Sequence, residues 1–143
     1  MTNPIAEPAA TSFALPVRVY WEDTDAGGIV YHASYLRFME RARSEWLRVA
    51  GIDQAALKSA EQLQFAVVDM QIHWRRPARY DDLLTVTAAI AERSRASFSF
   101  SQSVLRDSEL LVDATVRVAA LDSTTLKPRR LPEELLAACQ RSP

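Results

Sequence analysis

Apolar positions repeat with two different periods along this chain, and the change of period divides it. Between about Ala33 and Ala50, Tyr35, Phe38/Met39, Ala42, Trp46 and Val49 recur every three or four residues, one apolar stripe of a helix. Arg37, Glu40, Arg41, Arg43, Glu45 and Arg48 fill the rest and are assigned to its solvated surface. Gly51 is placed to end the helix as a C′ residue, and Asp53 to cap a short second one reaching Ser59. From there the period is two. Phe65–Arg76, Leu83–Ala91, Ala96–Leu105 and Leu110–Leu121 read as strands. Val112, Ala114, Val116, Val118 and Ala120 share one face of the last; Phe98, Phe100, Gln102 and Val104 share one face of the strand before it. Arg106-Asp107-Ser108-Glu109 is a hairpin turn and Pro77–Asp82 a longer one. Ahead of the helix, the β-favouring run Val17–Trp21 ends in the turn formers Asp23-Thr24-Asp25-Ala26-Gly27-Gly28. The tail carries Lys127-Pro128-Arg129-Arg130 and a short helix, Glu133 to Cys139. Residues 1–15, rich in Ala, Thr, Ser and Pro, read as a loose leader, and 16–143 as one domain.

One strand, one long helix and four strands joined by short turns is not the βαβα alternation of a parallel sheet. It predicts an α+β fold with an antiparallel five-stranded sheet around one helix. One helix cannot cover both faces of such a sheet, so the uncovered edges or face predict a dimer or larger assembly.

Composition narrows the chemistry. Seventeen Lys and Arg against eighteen Asp and Glu leave a net charge of −1 over 143 residues. No basic field exists to hold nucleic acid, and an anionic ligand must meet a local cluster. A single cysteine, Cys139, excludes an internal disulfide, and with two histidines, His32 and His73, the Cys/His set of a zinc site is short. His73, in mid-strand, reads as structural. No metal or redox cofactor is expected. Met1–Pro16 lacks the basic residue and apolar run of a secretory signal, and no apolar stretch approaches the roughly 20 residues that span a bilayer; the expected compartment is the cytoplasm.

Two of the three glycines stand together before the helix, where unusual dihedrals or a close approach are needed. A helix N-terminus offers unpaired N–H groups and a positive dipole end, which can polarise a carbonyl and hold an oxyanion. A carboxylate beside it can attack that carbonyl or activate water. Asp25 has the right type and place, and His32 follows near the helix start. The ordinary readings stand beside these: Asp before Gly-Gly is commonly a turn former, and a lone His there a hydrogen-bonded surface residue. Glu22 and Asp23 read as solvated.

The stretch Arg18 to Tyr35, RVYWEDTDAGGIVYHASY, resembles the signature of the 4-hydroxybenzoyl-CoA thioesterase family. Phe38 to Arg48, FMERARSEWLR, narrows the resemblance to its YbgC-type, Tol–Pal-associated acyl-CoA thioesterases. Pro77–Asp82, Arg95–Phe98 and Pro128–Pro132 match as well, so the similarity runs from about Val17 to Leu136. It implies a hotdog fold, pairing of two subunits into one continuous sheet with further assembly to tetramers, and an active site at the subunit interface. The family's essential carboxylate falls on Asp25 and the branch's histidine on His32. A tyrosine implicated in the branch falls at Trp21, where indole offers only an N–H donor. Trp21, Gly28 and Tyr31 are therefore pocket candidates.

The implied reaction is hydrolysis of a short-to-medium acyl-CoA thioester, aromatic ones included, to free acid and CoA. One oxyanion donor would come from the helix start near His32, a second from the strand start near Gln64–Ala66. Asp25 would act as nucleophile or as base for water. Arg75, Arg76, Arg93, Arg95, Lys127, Arg129 and Arg130 are candidates for the CoA phosphates, and Arg129-Arg130 also for an acyl carrier protein. Two alternatives stay open: a non-catalytic acyl-CoA or acyl-carrier-protein binding module, and a hotdog hydratase.

Overall fold

The computed structural model describes residues 13–141. In order they form β1 (Phe13–Arg18), a 3-10 turn (Trp21–Asp23), α1 (Ser34–Val49), α2 (Gln54–Glu61), β2 (Leu63–Trp74), β3 (Leu83–Arg93), β4 (Ser97–Arg106), β5 (Glu109–Asp122) and α3 (Glu133–Arg141). The strands make one antiparallel sheet in the order β1-β3-β4-β5-β2, curled about α1 in the hotdog arrangement. Among the described residues both edges, β1 and β2, are unpaired.

The faces predicted for the last two strands are the buried ones. Phe98, Phe100 and Val104 lie against Val112, Val116 and Ala120, all at most 1 % exposed. From α1, Tyr35, Phe38, Met39, Ala42, Trp46 and Leu47 close this core, with Trp46 edge-on to Phe100 at 5.4 Å between centroids. Gly51, at φ +88°, ends the helix. The N–H of Ile52 donates to Leu47 O and that of Gly51 to Arg48 O, the two bonds of a Schellman cap. Asp53 caps α2 by accepting from the Ala56 N–H at 3.1 Å. Asp107, at φ 54°, makes the β4–β5 turn.

Four local expectations are corrected. β1 begins at Phe13 and ends at Arg18, so Phe13–Leu15 pair with β3 and Trp21 lies in the 3-10 turn; positions 1–12 of the expected leader lie outside the described residues. Val49 is 74 % exposed, because the stripe drifts round α1 and Leu47 takes its place. Arg43, assigned to the solvated surface, is only 7 % exposed. Asp23 is buried as well, at 5 %.

Candidate active site

Asp23 organises the loop between β1 and α1. Its Oδ2 accepts from the Tyr20 N–H at 2.8 Å, and its carbonyl accepts from the Tyr31 N–H and the Ser34 hydroxyl. Within that frame Thr24 and Val30 bridge, and the Asp25 N–H donates to Ile29 O at 2.9 Å. Asp25 stands at the neck of this tight turn. Its Oδ1 accepts from the Gly27 N–H at 2.8 Å, and its carbonyl from the Gly28 N–H. The two glycines are needed for different reasons. A Cβ at position 27 would stand 3.2 Å from Asp25 Oδ1, and Gly28 has φ +83°.

The Pro77–Asp82 turn buttresses this loop. Val30 N–H donates to Ala78 O, and Ile29 bridges to Arg79. Ala78 is held from the helix, its N–H donating to the Tyr35 hydroxyl at 3.0 Å. Burial raises the Tyr35 phenol above its ordinary value, against the opposing pull of that N–H and of Arg106. Asp82 closes the turn, accepting from the Arg79 N–H and from Arg106 Nη1 at 2.7 Å. Burial alone would raise the Asp82 carboxyl; these donors and the Arg106 charge hold it below the usual carboxylate range.

Asp25 and His32 line one cleft of about 270 Å³, with Val30, Tyr35, Trp74 and Arg75 among its walls. His32 and Tyr35 bring the start of α1 into its lining. There the His32 and Ala33 N–H groups donate to no backbone carbonyl of the described residues, whereas Ser34 N–H is used by Tyr31 O. His32 is fixed by Trp74, whose indole Nε1 donates to His32 O at 3.1 Å and whose ring meets the imidazole edge-on. A carboxylate and an imidazole thus share one apolar-walled space beside a helix start with unengaged amides, which suits attack on a carbonyl whose oxygen gains charge.

The other candidates are distributed differently. Gly28 shapes the loop, and Tyr31 is half exposed with its ring 4.6 Å from that of His32. Trp21 is not a wall of the Asp25 cleft; it stacks on Tyr80 with centroids 3.7 Å apart and is 69 % exposed. Arg75 and Arg76 reach the cleft, the first bound to Asp113 and the second 3.4 Å from Glu109. His73 lies 3.8 Å from the same Asp113. Arg95, Arg129 and Arg130 sit by the opposite end of the sheet, where Leu131 N–H donates to Arg95 O and Arg129 pairs with Asp122. Gln64–Ala66 are there too, paired with Ala119–Leu121, so one chain does not bring them to Asp25. Cys139 is buried, and burial raises its thiol, the opposite of what a nucleophile needs. Among the described residues no group of three or more His, Cys, Asp or Glu is placed to hold a metal ion. Tyr35 and Trp74 were not singled out from sequence. Both act across more than forty residues of chain, a separation at which periodicity carries no signal.

Comparison with known proteins gives the family. The family model described as the thioesterase-like superfamily matches residues 19–139. The acyl-CoA thioesterase YbgC of Haemophilus influenzae is 46 % identical over 126 residues, 88 % of this chain and 93 % of that protein. The acyl-CoA thioester hydrolase YbgC of Escherichia coli O157:H7 is 45 % identical over 128 residues, 89 % of this chain and 95 % of that one. Among solved structures, a probable thioesterase from Bartonella henselae superposes with a TM-score of 0.81 at 43 % identity, covering 85 % of this chain and 99 % of its own. With the hotdog sheet, the helix-start cleft and this breadth of similarity together, the chain belongs to the thioesterase-like superfamily, within its branch of YbgC-type acyl-CoA thioesterases.

Proposed function

We propose that this chain is an acyl-CoA thioester hydrolase in which Asp25 acts on a thioester whose oxygen rests against the amides at the start of α1. The observation that carries this is the shared cleft, lined by Asp25 and His32 beside a helix start whose His32 and Ala33 N–H groups have no backbone acceptor among the described residues. Gly27 holds the Asp25 carboxylate by one oxygen, which leaves the other for the acyl carbon or a water. His32, pinned through its own carbonyl by Trp74, orients the substrate or the acid. Oxyanion donors of this kind each typically supply about 10²–10³ in rate.

Self-association completes the site. Among the described residues β2 is an edge strand, with one side of its backbone unpaired in the sheet. A second copy pairing antiparallel along it, with the two-fold axis near Asp69, sets residue 64 of one copy against residue 74 of the other. The strand start with Gln64–Ala66, and the basic group Arg95, Arg129 and Arg130 near it, then approach the partner's cleft. This supports a second backbone donor and a path for the CoA phosphates from the second subunit, in a homodimer or a tetramer of two such dimers. Arg129 and Arg130 on that path also suit the acidic surface of an acyl carrier protein.

A volume of about 270 Å³ with walls of Ile29, Val30, Tyr35 and Trp74 suits a short-to-medium or benzoyl-sized acyl group. The test is a panel of acyl-CoA thioesters of increasing length and aromatic content. Stoichiometric free thiol and free acid, fastest for short and aromatic acyl groups, is expected. Tight binding without thiol release would make the chain a binding module instead. Hydration of an enoyl thioester with the thioester intact would make it a hydratase.

A further inference from the structure

The cleft around Asp25 takes Trp74 from the end of β2 and Arg75, Arg76 and Pro77 from the turn after it, and nothing from further back along that strand. The strand itself continues apolar behind Trp74. Met70, Ile72 and Trp74 stand opposite Val116, Ala114 and Val112 of β5, all buried, so the three share the face of the sheet that carries the core. α1 packs chiefly on β1, β3 and β4, and Met70 and Ile72 stay only partly buried. An apolar lane therefore runs from Trp74 back along β2, reaching Met70 after about 13 Å at the ordinary strand rise. Trp74 stands across its head. It reaches from the end of β2 to the residues before α1, its Nε1 donating to His32 O at 3.1 Å and its ring edge-on to the imidazole with centroids 5.9 Å apart. Val30 and Tyr35, the walls facing it, belong to the buried core, whereas Trp74 is 46 % exposed.

We infer that Trp74 is the stop that sets acyl length: the acyl group ends against its indole, and the lane over Ile72 and Met70 is where a longer chain runs once the indole is removed. The inference rests on the thioesterase reading above and names its specificity-determining residue. The occupant follows from continuity with the cleft. A thioester whose carbonyl carbon lies at Asp25 sends its acyl tail along an apolar wall, and past Trp74 the lane offers an isoleucine and a methionine with no charge between them. The phosphates and the polar pantetheine arm of CoA find no partner there, whereas methylenes leave water on entering it. The indole does two separable things: its bulk closes the lane, and its N–H holds the main chain of His32.

Steady-state thiol release from butyryl-, octanoyl- and dodecanoyl-CoA, each below its micellar concentration, tests it on wild type, Trp74→Ala and Trp74→Phe. Trp74→Ala is also combined with Ile72→Trp and, as a control on the other face of the strand, with Gln71→Trp. The quantity read is kcat/KM for dodecanoyl-CoA over that for butyryl-CoA. A buried methylene is worth about fourfold in affinity, so Trp74→Ala is expected to raise the ratio about tenfold or more. Trp74→Phe keeps a ring at the stop and loses the bond to His32 O, so kcat should fall for every chain length with the ratio within about twofold of wild type. Ile72→Trp should bring the ratio of the alanine variant back toward wild type, and Gln71→Trp should not. The same ratio taken from binding constants in an Asp25→Asn background reads the lane without turnover. A Trp74→Ala ratio equal to that of wild type in both measurements, or one that Ile72→Trp leaves raised, overturns the inference alone. A wild type that releases thiol from no acyl-CoA, aromatic ones included, overturns the thioesterase reading with it.

Discussion

Changing Tyr35 to phenylalanine removes one oxygen from the seam that joins α1 to the Asp25 loop. The Ala78 N–H then points at a ring edge. Ala78 is wholly buried and Tyr35 is 2 % exposed, so water cannot replace the lost acceptor without opening the turn. A buried donor left unsatisfied costs about 1–3 kcal/mol. No cavity term adds to it, because the ring stays. For a domain of this size that corresponds to roughly 3–10 °C in Tm. Urea unfolding of both proteins at one concentration measures it, with an unchanged slope showing that only the native contact differs. The pH dependence identifies the oxygen. Burial raises the folded phenol above its ordinary value of about 10, so its contribution is present below that pH. Above it the unfolded phenol ionises first and stability falls. The gap between wild type and Tyr35→Phe should therefore narrow as pH rises past about 10. A difference under about 0.5 kcal/mol at neutral pH, or a gap that widens in alkali, would refute the reasoning.

Two further outcomes follow from the same contacts. His32→Ala should lower turnover by about tenfold while leaving the fold intact, since the main-chain N–H at position 32 survives the change; steady-state thiol release against circular dichroism checks both halves. Asp82→Asn should cost about 1–2 kcal/mol at neutral pH through its weakened bonds to Arg106 and the Arg79 N–H, seen in urea unfolding. The folded carboxyl is depressed, so its contribution is present above the unfolded value near 4 and disappears as pH falls through the lower folded one. Wild type and Asp82→Asn should thus converge in acid and not in alkali.

Much of this molecule was legible because its core obeys simple periods. Phe98, Phe100, Gln102 and Val104 alternate on β4 as read, and Gly51 and Asp53 end one helix and begin the next by local chemistry alone. Asp25 and His32 were singled out through a loop whose glycines are scarce elsewhere, and they line one cleft. What escaped was decided by tertiary contact. Met39, Arg43 and Leu47 are spaced by four, and position 43 is buried for that reason, but a charged residue on an apolar stripe reads as surface until Gln102 is seen beneath it. Asp23 looks like a solvated turn residue and is a buried bracket, because its partners Tyr31 and Ser34 lie beyond the loop it closes. Trp74 and Tyr35 hold the cleft through bonds between elements far apart in sequence. Trp21 resembles a pocket position in sequence, yet in the single chain its indole lies on Tyr80.

Asp25→Asn addresses the chemistry most directly. The amide keeps an oxygen to accept from the Gly27 N–H, so the loop and the cleft survive, while nucleophile and base are both lost. Thiol release from the best acyl-CoA of the panel, beside the binding constant for the same thioester, should show turnover reduced about a thousandfold or more with binding within a few-fold of wild type. An Asp25→Asn protein that hydrolyses the thioester at the wild-type rate would contradict the account.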